Sequence, residues 1–114
     1  MPMKITGDKL RILNWDAIDR VEHFGKTGNS YWRTFEDSGI RIRIVEYPVG
    51  YMADHWCEKG HIVHLLKGKT EFETDDGMKS IISAGMTYKV SDNYKHRSRN
   101  IGDETAKLLI IDES

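Results

Sequence analysis

The sequence predicts an all-β domain made of about eight to ten short antiparallel strands, as in a sandwich, jelly roll or barrel. Residues 40–47 alternate isoleucine with arginine or glutamate over most of their length, which is the period of two that a strand imposes. Ten glycines are scattered along the 114 residues, as turns between short elements require. The pair Asp76-Gly77 lies between two strand-like runs and suits a tight hairpin turn.

The remaining elements follow in chain order. Residues 31–35 place large apolar groups on one side of a strand, and residues 61–66 form another strand after a turn at 58–60. The later strands are expected at 70–74, 79–83, 86–90 and 106–112. We interpret residues 51–57 as extended and residues 91–102 as a polar stretch.

The first third of the chain is less patterned. Residues 15–21 are compatible with a short amphipathic helical turn or with an irregular extended arm. We expect residues 1–29 to form an N-terminal arm and loop and residues 30–114 to form the barrel, in a single domain overall.

Composition limits the partners and the compartment. Seventeen lysines and arginines nearly balance eighteen aspartates and glutamates, so no overall field favours nucleic acid or an acidic membrane surface. The basic cluster Lys95, Arg97 and Arg99 is too short to change this. A single cysteine excludes an intrachain disulfide, and no apolar run approaches the ~20 residues of a membrane span. We therefore expect a cytoplasmic protein with a small-molecule ligand.

Histidine and cysteine side chains cluster in the middle of the sequence. His55 and Cys57 are two residues apart, so in a strand they would project to the same face. His61 follows the turn at 58–60, which brings it back toward them. Imidazole and thiolate together favour Zn, Fe, Co, Ni or Cu over Mg or Ca. The pattern predicts a transition-metal site.

Two stretches of the sequence resemble the paired motifs of the cupin superfamily. The first motif is matched, with four residues instead of five after the glycine, by Gly50, His55, Cys57, His61 and Gly68. Cys57 stands at the place of a histidine and His61 at that of a glutamate. The second motif is matched by Gly85, Ser91, Asn93, His96 and Asn100, with its proline and second glycine replaced. The string Ala53-Asp54-His55-Trp56-Cys57 also looks like the small group of bacterial cupins named for an Asp, His, Cys and Trp motif.

This resemblance implies a small jelly-roll barrel with metal ligands directed into its mouth. The ligand set that it implies is His55, Cys57, His61 and His96. Zinc is the first expectation for the metal, with iron, nickel or cobalt as alternatives. The resemblance also implies a homodimer.

The coordination number separates two functions. Four protein ligands on zinc leave no open position, which is typical of a structural site and of a non-enzymatic binding or sensor module. A metal that takes five or six ligands keeps positions for water or a substrate, so the barrel would bind or transform a small polar metabolite. The sequence leaves open whether the protein is an enzyme.

Supporting roles are expected for several side chains outside the ligand set. Candidates for the pocket wall are Trp32, Tyr51, Met86, Tyr88 and Val90, although ordinary core packing explains them equally well. Arg41 and Arg43 are expected to face solvent, opposite an isoleucine face in the core. We expect His23 and His64 to lie at the surface or at an interface. We expect Asp54 and Trp56 to make structural contacts and Asn100 to brace the backbone.

Overall fold

The computed structural model describes residues 4–114 and confirms an all-β architecture. Within this range the chain forms one 3₁₀ turn, Trp15–Ala17, and nine strands. The strands are β1 Val21–Phe24, β2 Asn29–Asp37, β3 Ile40–Tyr47, β4 His61–Lys67, β5 Lys69–Thr74, β6 Lys79–Ser83, β7 Thr87–Val90, β8 His96–Asn100 and β9 Ala106–Glu113. No helix in residues 4–114 is long and apolar enough to cross a membrane.

The strands form two antiparallel sheets. The larger sheet has the order β1-β2-β3-β9-β4-β7, and the smaller one has the order β6-β5-β8. The last strand, β9, lies between β3 and β4, so the chain returns to the middle of the large sheet after building the small one. This topology agrees with the jelly-roll prediction.

One face of β9 shows where the interior lies. Ala106, Leu108, Ile110 and Asp112 are all buried, while the residues between them are more exposed. Because side chains alternate along a strand, all four point to the same face of the large sheet. Three of them are apolar, but the fourth is an aspartate, so this face must also supply polar partners.

The hydrophobic core lies between the two sheets. Val45, Val63, Leu65 and Leu108 from the large sheet are at most 1% exposed, and Ile82 of β6 packs against them from the small sheet. These close-packed side chains hold the sheets face to face. Val45 and Val63 also form part of the wall of a cavity that continues beyond the core.

Three local expectations need revision. Residues 48–60 do not form a strand and join the sheets only by isolated bridges at Met52 and Cys57. The expected polar stretch 91–102 contains strand β8, which pairs antiparallel with β5. In the first third, Trp15–Ala17 forms a short 3₁₀ turn, one of the two alternatives expected, but the expected arm and loop also contains β1, which pairs with β2 as the edge of the large sheet.

Candidate metal centre

Two ligand candidates are placed opposite each other by the backbone. The amide of Cys57 donates to the carbonyl of His96 at 2.7 Å, and the amide of His96 donates back to the carbonyl of Cys57 at 3.0 Å. A short turn then returns the chain to His61 at the start of β4. The turn is held by Gly60, whose amide donates to Oδ1 of Asp92 at 2.7 Å. The isolated bridge and the turn thus fix three side chains in a small space.

Cys57, His61 and His96 form a compact group of potential ligands. One donor atom from each residue lies within 4.8 Å of the other two. Sγ of Cys57 is 3.5 Å from Nε2 of His61, and the two imidazole rings meet edge to face with centroids 5.1 Å apart. Atoms at these separations can converge on one ion with little movement.

The hydrogen bonds of the two histidines fix the nitrogen that each can offer. Nδ1 of His61 donates to Asp112 at 2.7 Å, and Nδ1 of His96 donates to the carbonyl of Tyr94 at 2.7 Å. The proton is therefore on Nδ1 in both rings, which leaves the lone pair of Nε2 available for a metal. Nε2 of His96 is buried and has no hydrogen-bond partner within residues 4–114. A buried acceptor without a partner is costly, so a transition metal fits this group of donors.

Behind His61, Asp112 connects the group to two arginines. Its carboxylate accepts hydrogen bonds from Nε and Nη2 of Arg41 at 2.8 and 2.9 Å and from Nη2 of Arg43 at 2.9 Å. The solvent-facing prediction for these arginines is wrong, because Arg43 is 4% exposed and both line the internal cavity. The arginine face of β3 points inward in register with Asp112 on β9.

The surroundings of the group favour an ionised Cys57 and an ionised Asp112. The neighbouring imidazoles of His61 and His96 lower the pKa of the Cys57 thiol to about 5, despite its partial burial. Burial alone would lower the pKa of His61, but the bonds to Asp112 and Cys57 outweigh it and raise that pKa. Asp112 itself stays ionised, since its hydrogen bonds and the two arginines overcome burial and lower its pKa. A thiolate is the form of cysteine that binds metals.

His55 lies outside this group. Its side chain is 78% exposed, and Nδ1 is 2.6 Å from Oδ1 of the neighbouring Asp54. The expected alternation with Cys57 does not apply, because residues 54–56 are bends and irregular backbone instead of a strand. His55 lines the mouth of the cavity, so its role as a fourth ligand stays a prediction.

The three donors face a cavity of about 330 Å³. Its apolar wall includes Trp32, Val45, Tyr47, Tyr51, Val63, Tyr88 and Ile110. Its polar wall includes Arg41, Arg43, Lys59 and Arg97 beside the ligand group. This volume is at the lower end of the range of small-molecule sites. The cavity combines metal donors, cations and apolar surface.

Some supporting roles are confirmed and others change. Trp32, Tyr51 and Tyr88 line the cavity as expected, whereas Met86 and Val90 do not.

Asn100 braces the backbone, since its amide donates to the carbonyls of Tyr47 and Glu104 and accepts from Gly102. Trp56 lies under the guanidinium of Arg97, and Asp54 contacts His55. His64 is exposed on β4 and contacts Thr87. His23 lies in β1, stacks on Trp32 and lines the cavity.

Asp112 and Lys59 were not expected at the site. A signal for Asp112 was present in the sequence, because it continues the inward-facing series of Ala106, Leu108 and Ile110. An acidic residue in that register requires a positively charged or hydrogen-bonding partner. Lys59 carries no comparable signal, because its position depends on the geometry of the turn.

Solved structures with the same architecture are numerous. A cupin-like protein from Thermotoga maritima is 19% identical with a TM-score of 0.70, over 85% of this chain and 80% of that one. A polyketide cyclase from Streptomyces resistomycificus is 14% identical with a TM-score of 0.77, over 91% and 79%. A predicted oxalate decarboxylase from Thermotoga maritima is 16% identical with a TM-score of 0.76, over 91% and 100%. At these identities the likeness establishes the fold alone.

Sequence comparison gives the family. No curated protein sequence matches the chain. The family model for the cupin domain matches residues 43–112, which run from the middle of β3 to the end of the barrel and include Cys57, His61 and His96. Together with the jelly-roll topology, this match shows that the chain belongs to the cupin superfamily.

Proposed function

We propose that this cupin binds a divalent transition metal through Cys57, His61 and His96 and uses it to bind or transform a small polar metabolite in the cavity. The observation that carries the proposal is the buried Nε2 of His96, which has no partner within residues 4–114 and lies beside a thiol and a second imidazole. An apolar packing role would not explain this nitrogen. A metal ion would satisfy it.

The number of protein ligands supports an open centre. Three protein donors are typical of sites in which a metal retains a position for water or a substrate, whereas four are typical of closed structural zinc sites. Exposed His55 is not among the three grouped donors. The alternative function, a binding or sensor module with a closed structural site, requires His55 to complete the set.

The surrounding residues orient the donors of this centre. Asp112 orients His61 and keeps its proton on Nδ1, and the carbonyl of Tyr94 does the same for His96. Cys57 supplies a thiolate, and apolar side chains form part of the cavity wall. A metal bound here would supply Lewis acidity toward an oxygen of the ligand.

Metal analysis of the purified, untagged protein tests the proposal. We expect close to one transition metal ion per chain, with X-ray absorption showing one sulfur and two nitrogen ligands from the protein and additional light atoms. His61→Ala should lose the ion, while His55→Ala should keep it with an affinity within about threefold of the original, because an exposed side chain contributes little. Equal losses in both variants would favour the closed four-ligand site, and a metal-free protein that cannot be loaded would overturn the proposal.

Zinc is our proposal for the metal, because a thiolate and two imidazoles suit its preferred donors. We also propose membership in the cupin group named for its Asp, His, Cys and Trp motif, a homodimeric state and a cytoplasmic location. Exposed apolar side chains of the N-terminal arm, Ile5, Leu10 and Ile12, are consistent with a partner copy. Sedimentation equilibrium checks the dimer, and a monomer at micromolar concentration would contradict it.

A further inference from the structure

The cavity that holds the ligand group has more positive than negative charge. Four cationic side chains line it, namely Arg41, Arg43, Lys59 and Arg97, whereas the anionic groups that line it within residues 4–114 are the carboxylate of Asp54 and the thiolate of Cys57. Burial in a cavity strengthens such an imbalance, because water no longer screens it fully. The distribution of ion pairs identifies where the excess charge lies.

Most acidic groups near the cavity have cationic partners of their own. Glu73 accepts from Arg97 at 2.7 Å, whereas the exposed Asp54 contacts the imidazole of His55. A single carboxylate, that of Asp112, serves both Arg41 and Arg43. The two arginines therefore share a single carboxylate, and where a bound metal takes up the charge of the Cys57 thiolate, they carry one more charge than their counterion.

Lys59 adds a second unneutralised charge. Its ammonium has no carboxylate within 4.0 Å anywhere in residues 4–114. The residue is only partly exposed and lies between two of the grouped donors in sequence, Cys57 and His61. Arg43 also has a donor that a ligand could satisfy, because its buried Nε has no hydrogen-bond partner in the described chain.

Apolar side chains of the same sheet line the cavity beside these cations. Val45, Val63 and Ile110 extend the core into the cavity, and the ring of Trp32 lies beneath the guanidinium of Arg43. A small inorganic anion would leave this surface uncovered. A ligand with an anionic head and an apolar body would complement both kinds of side chain.

We infer that the ligand of this cavity is a small carboxylate with an apolar body, its charge met by Lys59 and the Arg41–Arg43 pair. The inference rests on the proposed function, since it names the class of ligand that the same site takes. Its carboxylate would gain charge-assisted hydrogen bonds, which are stronger than those between neutral groups.

Binding of matched probes tests the inference. Benzoate, its neutral counterpart benzamide, and acetate are titrated into ¹⁵N-labelled protein, both metal-free and loaded with zinc, while amide shifts of residues 57–61 and 96–98 are followed. We expect benzoate to bind at least about tenfold more tightly than benzamide, because of charge-assisted bonds. Acetate should bind at least about tenfold more weakly than benzoate, because it lacks the apolar body.

Lysine variants separate the local charge from the overall charge. Lys59→Met should weaken benzoate binding about three- to tenfold in both metal states and leave benzamide unchanged, and Lys59→Arg should restore it. Lys89→Met removes the same charge from the exposed face of β7, away from the cavity, and should change nothing. Equal affinity for benzoate and benzamide, no binding of benzoate, or equal effects of Lys59→Met and Lys89→Met would overturn the inference.

The two proposals fail in different ways. A protein that binds no metal but still prefers benzoate through Lys59 would contradict the proposed function and support the carboxylate inference. A protein that binds zinc at Cys57, His61 and His96 but shows no preference for benzoate would contradict the inference alone.

Discussion

Oδ2 of Asp112 lies 2.7 Å from Nδ1 of His61 and also accepts from Nη2 of Arg43 at 2.9 Å. The carboxylate is fully buried, so these contacts are made without competition from water. One side chain on β9 therefore both orients a potential metal ligand on β4 and neutralises a buried cation on β3. This links the proposed metal site to the stability of the large sheet.

The substitution Asp112→Asn should weaken zinc binding and lower the stability of the fold. The substitution removes the negative charge that stabilises the protonated Nδ1 of His61 and that is shared by Arg41 and Arg43 as their counterion. We expect zinc affinity to fall about 10- to 100-fold, as is usual when the partner of a ligating histidine is lost. The metal-free protein should lose about 3–5 kcal/mol of unfolding free energy, because a buried cation loses its counterion. Competition with a chromophoric chelator and urea denaturation measure the two effects.

Asp103→Asn is the matched control, because Asp103 is exposed in the loop before β9. It should leave zinc affinity unchanged and alter stability by no more than about 0.5 kcal/mol. Zinc affinity in Asp112→Asn equal to that of the control would show that Asp112 does not support the site.

Much of the fold could be predicted because its signals are local. The alternation in residues 40–47 and the Asp76-Gly77 turn each act over a few residues, and both appear as expected in β3 and the β5–β6 hairpin. The positive φ of 96° at Gly77 is the conformation for which glycine is suited. The pairing of β9 between β3 and β4 has no such local signal, and it was not predicted.

The errors at the site have a physical cause. Alternation shows that isoleucine and arginine in β3 face opposite sides, but it does not show which side is interior. Arginine usually faces solvent. Here the buried carboxylate of Asp112 reverses this preference, because it provides a counterion in the interior. Similarly, the spacing of His55 and Cys57 predicts a shared face only if the backbone is extended, and the bend at residues 54–55 breaks that condition.

Leu108→Ala tests the core between the sheets. Leu108 is 1% exposed and packs in the same cluster as Val63 and Leu65. Truncation leaves a cavity that rigid strands cannot collapse, so we expect a loss of about 2–5 kcal/mol in unfolding free energy. Ile81→Ala, at a position that is 58% exposed, should cost less than about 0.5 kcal/mol. Urea denaturation compares them, and similar losses would show that the cluster is not the stabilising core.

Asn100→Ala should destabilise the end of β8. The side chain makes three hydrogen bonds to the backbone of Tyr47, Gly102 and Glu104 and is 7% exposed. Without it, two carbonyls and one amide lose partners, so we expect a loss of at least about 2 kcal/mol. Asn100→Asp should be no better, because a carboxylate would face two carbonyl oxygens. Thermal and urea unfolding measure both, and an unchanged stability in Asn100→Ala would contradict the bracing role.

Gly60→Ala should damage the turn that joins Cys57 to His61. A Cβ at this position would lie 2.8 Å from the amide nitrogen of Asp92 and 2.8 Å from the carbonyl oxygen of Val90, both of which are backbone atoms that cannot rotate away. We expect a loss of about 1–3 kcal/mol from this overpacking and a weaker zinc affinity, since the turn sets the distance between two ligands. Gly102→Ala is the matched control, because its Cβ would meet its nearest neighbours at 3.5 Å and neither glycine has a positive φ. That variant should be neutral, so equal zinc affinities and equal stabilities in the two variants would show that the contact of Gly60 with residues 90–92 does not position the metal centre.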